Sequence, residues 1–169
     1  PDKARRRLAE ALDVIGAELG LPRARMVLKQ RRRQRGSAQY ERGSGKPRLL
    51  EVTEDDLAYL VDLETYLDTG FFIDQRLTRR LVRRLAGGRR FLNLFAYTGA
   101  MTVNALAGGS PSSTTVDLSA TYLDWAGRNI AHQSGALARA GSTVDLVAAD
   151  ARDVAAPGGA LNGLRGLVD

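Results

Sequence analysis

The sequence predicts an α/β chain in which a parallel sheet with crossover helices follows a small, basic α+β module. Three observations lead there. From Asp74 onward the patterns alternate: helix 74–85, strand 90–95, helix 99–107, strand 114–118, helix 120–132 and strand 143–149. That is the order expected when crossover helices join parallel strands. Charge is divided unevenly. Residues 1–48 hold 14 Lys and Arg against 5 Asp and Glu, net +9, whereas the other 121 residues hold 11 against 14, net −3. The 44% hydrophobic and 26% charged content is that of a globular chain. The domain boundary is expected between 66 and 67, with the basic module over 1–66 and the start of the parallel-sheet domain over 67–169.

The elements follow from local patterns. Leu8, Leu12, Ile15 and Leu19 recur at steps of three and four, which predicts an amphipathic helix over 3–20 that stops at Gly20 before Leu21-Pro22. Arg5, Arg6 and Arg7 crowd its first turn, where the helix dipole disfavours cations. Arg25–Lys29 reads as a strand, continued by the basic run Gln30–Arg35, and the polar, Gly-rich Gly36–Lys46 reads as a loop. Leu49–Thr53 and Leu57–Leu63 are apolar runs around Glu54-Asp55-Asp56, the pattern of an antiparallel hairpin. Gly87-Gly88 and Gly108-Gly109 close the helices before the next strands. Ala155–Gly166 is weakly patterned.

Composition excludes several function classes. There is no cysteine, and His132 is the single histidine. Disulfides, thiolate–zinc sites, iron–sulfur clusters, thiol catalysis and His-rich metal sites are therefore out, and a cytoplasmic, reducing location fits. No apolar run approaches the ~18 residues of a membrane span, and Pro1-Asp2-Lys3 does not open a signal peptide. Concentrated basic charge in one module points to a polyanion such as nucleic acid.

The chemistry is carried by strand tips. Phe91-Leu-Asn-Leu-Phe-Ala-Tyr-Thr-Gly-Ala100 is an apolar strand running through a glycine turn into a helix. Ligands of open α/β sheets bind outside the carboxyl ends of the strands, where a glycine admits backbone amides and a helix N-terminus attracts an anion. One glycine, rather than Gly-x-Gly-x-x-Gly, argues against a nicotinamide dinucleotide. Thr114-Thr-Val-Asp117 ends in an acid suited to a ribose diol, and Leu146-Val-Ala-Ala-Asp150 in an acid suited to an exocyclic amine. Asp117 also suits a helix N-cap before Leu118-Ser119. Glycine turn, acid and acid in this order favour an adenosine-containing ligand.

Tyr66-Leu-Asp-Thr-Gly-Phe-Phe-Ile-Asp-Gln-Arg76, Phe91-Leu-Asn-Leu-Phe-Ala-Tyr-Thr-Gly99 and Thr114-Thr-Val-Asp-Leu-Ser-Ala-Thr-Tyr-Leu-Asp-Trp-Ala126 resemble the bifunctional 23S large-subunit ribosomal RNA guanine methyltransferases of the K/L type. The resemblance is to their C-terminal, guanine-N7 half and covers roughly residues 2–153, including Val27-Leu-Lys-x-Arg-x-Arg33 and Leu50-Glu-Val-Thr53. Cytosine-C5 RNA methyltransferases share the Thr-Gly-Phe-Phe-x-Asp-Gln-Arg segment. The resemblance implies a Rossmann-like, S-adenosylmethionine-dependent fold. It also implies S-adenosyl-L-methionine as cofactor, ribosomal RNA as partner, and neither metal nor membrane. By the same resemblance Phe95, Tyr97, Thr98 and Gly99 belong to the loop cradling the methionine end, and Asn93 counts among the cofactor-binding residues. Asp117, with Leu118 and Ser119, grips the ribose, and Asp150 and Ala151 meet the adenine edge. Thr69, Gly70, Phe71 and Arg76 close over the cofactor, Arg76 as a partner for a carboxylate. Phe71 and Phe72 suit core packing equally well, Tyr122 and Trp125 read as core, and His132 reads as a surface residue. Arg5, Arg6, Arg7, Lys29, Arg31, Arg32, Arg33 and Arg35 are the candidates for RNA phosphate.

One departure stands out. Enzymes of this fold carry a polar–Pro–Pro motif at the fourth strand tip, and none occurs here. The chain is accordingly expected to be a piece of an enzyme, with an incomplete sheet and without activity of its own. The rival expectation is a non-catalytic RNA-binding module on an incomplete scaffold.

Overall fold

The computed structural model describes residues 2–29, 48–66, 68–133 and 141–154. Arg31, Arg32, Arg33 and Arg35, the stretch Gly36–Lys46 and the tail from residue 155 lie outside the described residues. The chain divides into two compact units, Pro1–Gln39 and Tyr40–Asp169.

In the first unit, α1 (Asp2–Leu19) follows the predicted apolar periodicity. The chain reverses at Gly20: Leu21 N–H donates to Gly16 O at 2.9 Å and Gly20 N–H to Ala17 O at 3.4 Å, which satisfies two of the helix's last carbonyls. The strand expected over Arg25–Lys29 does not form. Arg23–Arg25 is instead a 3₁₀ turn, closed by Arg25 N–H on Pro22 O at 2.9 Å. Met26 is extended, at φ −100° and ψ 123°, but has no ladder partner among the described residues, and extended backbone without a partner is not a strand.

The second unit opens with the predicted hairpin, β1 (Leu49–Glu54) paired antiparallel to β2 (Leu57–Asp62), with Glu54 opposite Leu57. Leu57, Tyr59 and Val61 alternate inward along β2. The helices and strands that follow are α2 (Arg76–Leu85), β3 (Phe91–Leu94), α3 (Ala100–Ala107), β4 (Ser112–Asp117), α4 (Ala120–Ala131), β5 (Thr143–Ala148) and the short α5 (Ala151–Val154). β3, β4 and β5 form a parallel sheet with β4 central. Central parallel strands are usually rich in Val and Ile, yet β4 begins Ser-Ser-Thr-Thr. Its buried hydroxyls pair internally: Thr115 Oγ1 lies 2.9 Å from Thr102 Oγ1 and 3.1 Å from Ser113 Oγ, and Asn93 Nδ2 donates to Thr102 Oγ1 at 2.9 Å.

The boundary expected at 66/67 falls inside this second unit, because the hairpin is tied to the sheet's own helix. Trp125 Nε1 donates to Leu60 O at 2.9 Å, and Leu60 N–H donates to Asn129 Oδ1 at 2.8 Å. Gln133 accepts from Ala58 N–H at 3.2 Å. These side chains recur every four residues and pair the free edge of β2 as a neighbouring strand would. On the other side, the acidic turn of the hairpin meets the arginine face of α2. Glu54 binds Arg79 at 2.7 Å and Arg76 at 2.9 Å, Asp55 binds Arg80, and Asp56 binds Arg83. Leu57, Tyr59 and Val103 form one buried cluster, and Tyr66, Tyr122 and Trp125 another.

Candidate functional site

The turn after β3 is backbone held in an uncommon conformation. Phe95 has φ +57°, Tyr97 φ +52° and Gly99 φ +75°. Left-handed backbone at a bulky residue costs on the order of 1–3 kcal/mol and persists only where surrounding bonds impose it. Those bonds are present: Ala96 N–H donates to Val116 O at 2.9 Å, Tyr97 N–H to Asp117 Oδ2 at 2.8 Å, and Gly99 N–H to Ala96 O at 2.9 Å. A Cβ on Gly99 would stand 2.8 Å from Ala126 Cβ, so glycine also lets α4 pack against the turn. Phe95 emerges 75% exposed, an unusual placement for a phenylalanine.

The segment after the hairpin forms the facing wall. Asp62 N–H donates to Thr69 O at 3.0 Å, and Thr69 Oγ1 donates to Phe71 O at 3.1 Å. Gly70, at φ +85°, lies so close to the Trp125 ring that a Cβ would approach it to 2.5 Å, and its carbonyl accepts from Thr98 Oγ1 at 2.5 Å. Phe71 packs on Tyr59 with ring centroids 4.5 Å apart and beneath the Arg79 guanidinium at 4.1 Å. Phe72 is half exposed, 5.2 Å from the Tyr97 ring. Between wall and turn lies a pocket of about 400 Å³, lined by Gly70, Phe71, Asn93, Phe95, Tyr97 and Thr98 among others, within the range of small-molecule sites. The Tyr97 hydroxyl is buried close to the Gly70 amide without reaching hydrogen-bond geometry, and burial pushes its pKa up.

The tips of β4 and β5 adjoin this turn. Asp117 uses each carboxylate oxygen once, Oδ2 for Tyr97 N–H and Oδ1 for Ser119 N–H at 2.9 Å. A carboxylate offers about four acceptor positions, so each oxygen keeps one open. The cap of α4 is Ser119, whose Oγ accepts from Tyr122 N–H at 3.3 Å, while Leu118 is 65% exposed. Ala149 N–H donates to Asp117 O at 3.1 Å, which ties the third tip to the second. Asp150 accepts from Arg152 N–H at 2.9 Å, just ahead of Ala151 at the start of α5. The Arg152 guanidinium holds the Asp150 carboxyl down at about 2.

Of the residues singled out in the sequence, Gly70, Phe71, Asn93, Phe95, Tyr97 and Thr98 share the pocket, and Asp117, Leu118 and Ser119 stand beside its turn. Thr69 braces the wall. Arg76 does find a carboxylate, but it is that of Glu54. Asp150 and Ala151 mark the third tip. Arg5, Arg6, Arg7 and Lys29 belong to the first unit, where Arg6 pairs with Glu10 at 3.6 Å. Tyr122 and Trp125 are core, at 8% and 3% exposure, and His132 is a surface residue 2.6 Å from Glu51. Two groups at the site escaped sequence reasoning, Arg79 on the pocket wall and the Glu54 that holds it. Their signal was present: three consecutive acids, and arginines at helical spacing at 76, 79, 80 and 83.

A model of the S-adenosylmethionine-dependent methyltransferase family matches residues 2–145. This chain belongs to that family. The ribosomal RNA large subunit methyltransferase K/L of Allochromatium vinosum is 56% identical over 130 residues, which are 77% of this chain and 18% of that protein. Its counterpart from Stutzerimonas stutzeri is 52% identical over the same shares. The chain spans under a fifth of the length of the curated relatives it matches. Among solved structures, SMU.776 complexed with SAH aligns with a TM-score of 0.54 at 31% identity, over 66% of this chain and 28% of that one. The parallel sheet and its crossover helices are the Rossmann-like architecture that the sequence predicts. Among the described residues no helix is long and apolar enough to cross a membrane, and no cluster of three His, Cys, Asp or Glu could hold a metal.

Proposed function

We propose that this chain carries the cofactor site of an S-adenosylmethionine-dependent ribosomal RNA methyltransferase acting on a guanine of the 23S molecule, at N7. The observation that carries the proposal is the convergence of three parallel strand tips on one strained turn beside a pocket of about 400 Å³. The groups present fit the cofactor. No side chain caps the start of α3, so its first amides are open to a carboxylate, and Ala100 and Met101 line the pocket. Asp117 keeps an open acceptor position on each oxygen for a pair of ribose hydroxyls. Asp150 is ionised at neutral pH, but Arg152 occupies both of its oxygens, so it takes the adenine amine only as that exposed guanidinium swings away.

Bound there, S-adenosylmethionine supplies an electrophilic methyl carried on sulfonium. Guanine N7 presents a lone pair and no proton, so the protein needs no general base for the transfer. Its own residues bind, orient and exclude water, and holding two reactants in line is worth several kcal/mol, roughly 7–11 in the best-aligned cases. The target base leaves its stack to reach the pocket. The K/L relatives support ribosomal RNA as the substrate class, and the excess of basic charge in residues 1–48 supports a phosphate-binding module ahead of the site.

Calorimetric titration with S-adenosylhomocysteine tests the proposal. Saturable binding is expected, weakened roughly a hundredfold or more in Asp117→Ala, the scale of two lost hydrogen bonds to a charged acceptor. A folded chain that shows no binding, or an unchanged Kd in the variant, overturns it. The first outcome would leave an RNA-binding scaffold.

A further inference from the structure

The pocket wall is held from two directions, and one of the holds comes from outside the sheet. Thr98, on the turn, donates to Gly70 O. From the other side Arg79 Nη1 donates to Phe72 O at 2.7 Å, and its guanidinium covers the Phe71 ring at 4.1 Å. Arg79 is itself 1% exposed, fixed by Nε on Glu54 Oε1 at 2.7 Å and Nη2 on Glu54 Oε2 at 2.8 Å. Two parallel bonds between a fork and a carboxylate set an orientation as well as an energy. Glu54 is the last residue of β1, at the hairpin turn. A charged pair this deeply buried adds little net stability compared with apolar packing, so its value has to be sought in what it orients.

We propose that Glu54 and Arg79 are positioning residues for the cofactor site: the hairpin, through this pair, sets the Gly70–Phe72 wall and with it the affinity for the methionine end of the cofactor. The inference rests on the proposed function above. The adenosine end is assigned to the tips at Asp117 and Asp150, whose hydrogen bonds go to Tyr97, Ser119 and Arg152 and not to the clamp or the Gly70–Phe72 wall. The two ends of the cofactor should therefore respond differently when the pair is removed.

The test uses the full chain, titrated calorimetrically with S-adenosylhomocysteine and separately with adenosine. In Glu54→Gln, affinity for S-adenosylhomocysteine is expected to fall about tenfold, the scale of one lost charged hydrogen bond, while adenosine binding stays unchanged. Because Glu54→Gln leaves a buried guanidinium without its counter-charge and can unfold the chain, the double variant Glu54→Met with Arg79→Met is made in parallel. It replaces the pair by apolar groups of similar length, a change that folds tolerate. The same selective loss is expected there, with faster exchange of the Gln75 amide, which donates to Phe72 O at 3.2 Å, in the ligand-free protein. Asp56→Asn, which breaks the neighbouring exposed pair with Arg83, should change neither ligand. Equal affinities for S-adenosylhomocysteine in wild type and the folded double variant overturn the positioning role, as does a parallel loss of both ligands. No binding by the wild type overturns the proposed function itself, and this inference with it.

Discussion

Phe95 and Tyr97 carry the conformation on which the site depends, and neither is a glycine. Their left-handed backbone is imposed by the bonds that Ala96 N–H donates to Val116 O and Tyr97 N–H donates to the Asp117 carboxylate. Asp117 is thus both a turn brace and the proposed ribose acceptor. Gly70 is the complementary case, a residue with no side chain because the Trp125 ring fills the space. Gly70→Ala combines the left-handed penalty of ~1–2 kcal/mol with a Cβ only 2.5 Å from the Trp125 ring, so a loss of about 3 kcal/mol or more in urea unfolding is expected. A loss near 1 kcal/mol would mean that the ring moves aside and the wall is softer than the packing implies.

At the scale of elements, the hairpin joins the α/β unit through side chains rather than through a shared sheet. Asn129 is central. Its Oδ1 takes the Leu60 amide, and its Nδ2 donates to Thr98 O at 2.8 Å, so one buried side chain links β2 to the site turn. Asn129→Ala leaves two buried backbone groups without partners and is expected to cost roughly 2–4 kcal/mol, read from the denaturant midpoint. The acid–arginine contact of the hairpin with α2 adds a pH dependence. Hydrogen bonding to Arg79 holds the Glu54 carboxyl below its ordinary 4.5, and Arg83 holds Asp56 at about 2 instead of 3.8. Depressed carboxyls stabilise the fold above their unfolded values and lose that contribution as pH falls through the folded ones. The melting temperature should be level above about pH 5 and fall between pH 4.5 and 2, the window those values set. In Glu54→Gln that fall should be shallower. An equal slope would place the acid sensitivity elsewhere.

For the whole molecule, the arginines of α2 are already committed to acids of the same unit. Arg76, Arg79, Arg80 and Arg83 are neutralised by the hairpin acids, which leaves the arginines of residues 1–48 as the stronger candidates for a polyanion. Changing Arg31, Arg32 and Arg33 to Ala should weaken binding to large-subunit ribosomal RNA. It should also reduce the slope of log K against log salt by up to about three, roughly one for each phosphate contact. Parallel slopes for variant and wild type would move the RNA face elsewhere.

The sequence by itself determined what neighbours in the chain determine. Apolar periodicity set α1, the hairpin and the alternation from α2 to β5, and a glycine turn followed by two acids marked the strand tips, because each is a local pattern of a few residues. The strand expected at Arg25–Lys29 failed for the matching reason, since a strand needs a partner and extended propensity alone provides none. Only the tertiary structure decided that the hairpin belongs with the sheet, that Arg76 faces Glu54, and that Arg79 holds the pocket wall. Those outcomes rest on pairings 22 to 75 residues apart, such as Arg76 with Glu54 and Ala58 with Gln133, and Arg79 reaches the wall seven residues away only because Glu54, 25 residues away, fixes it. The types and spacing of the residues permit such pairings. The folded backbone selects among them, because a buried polar group must find a partner wherever the packing has placed one.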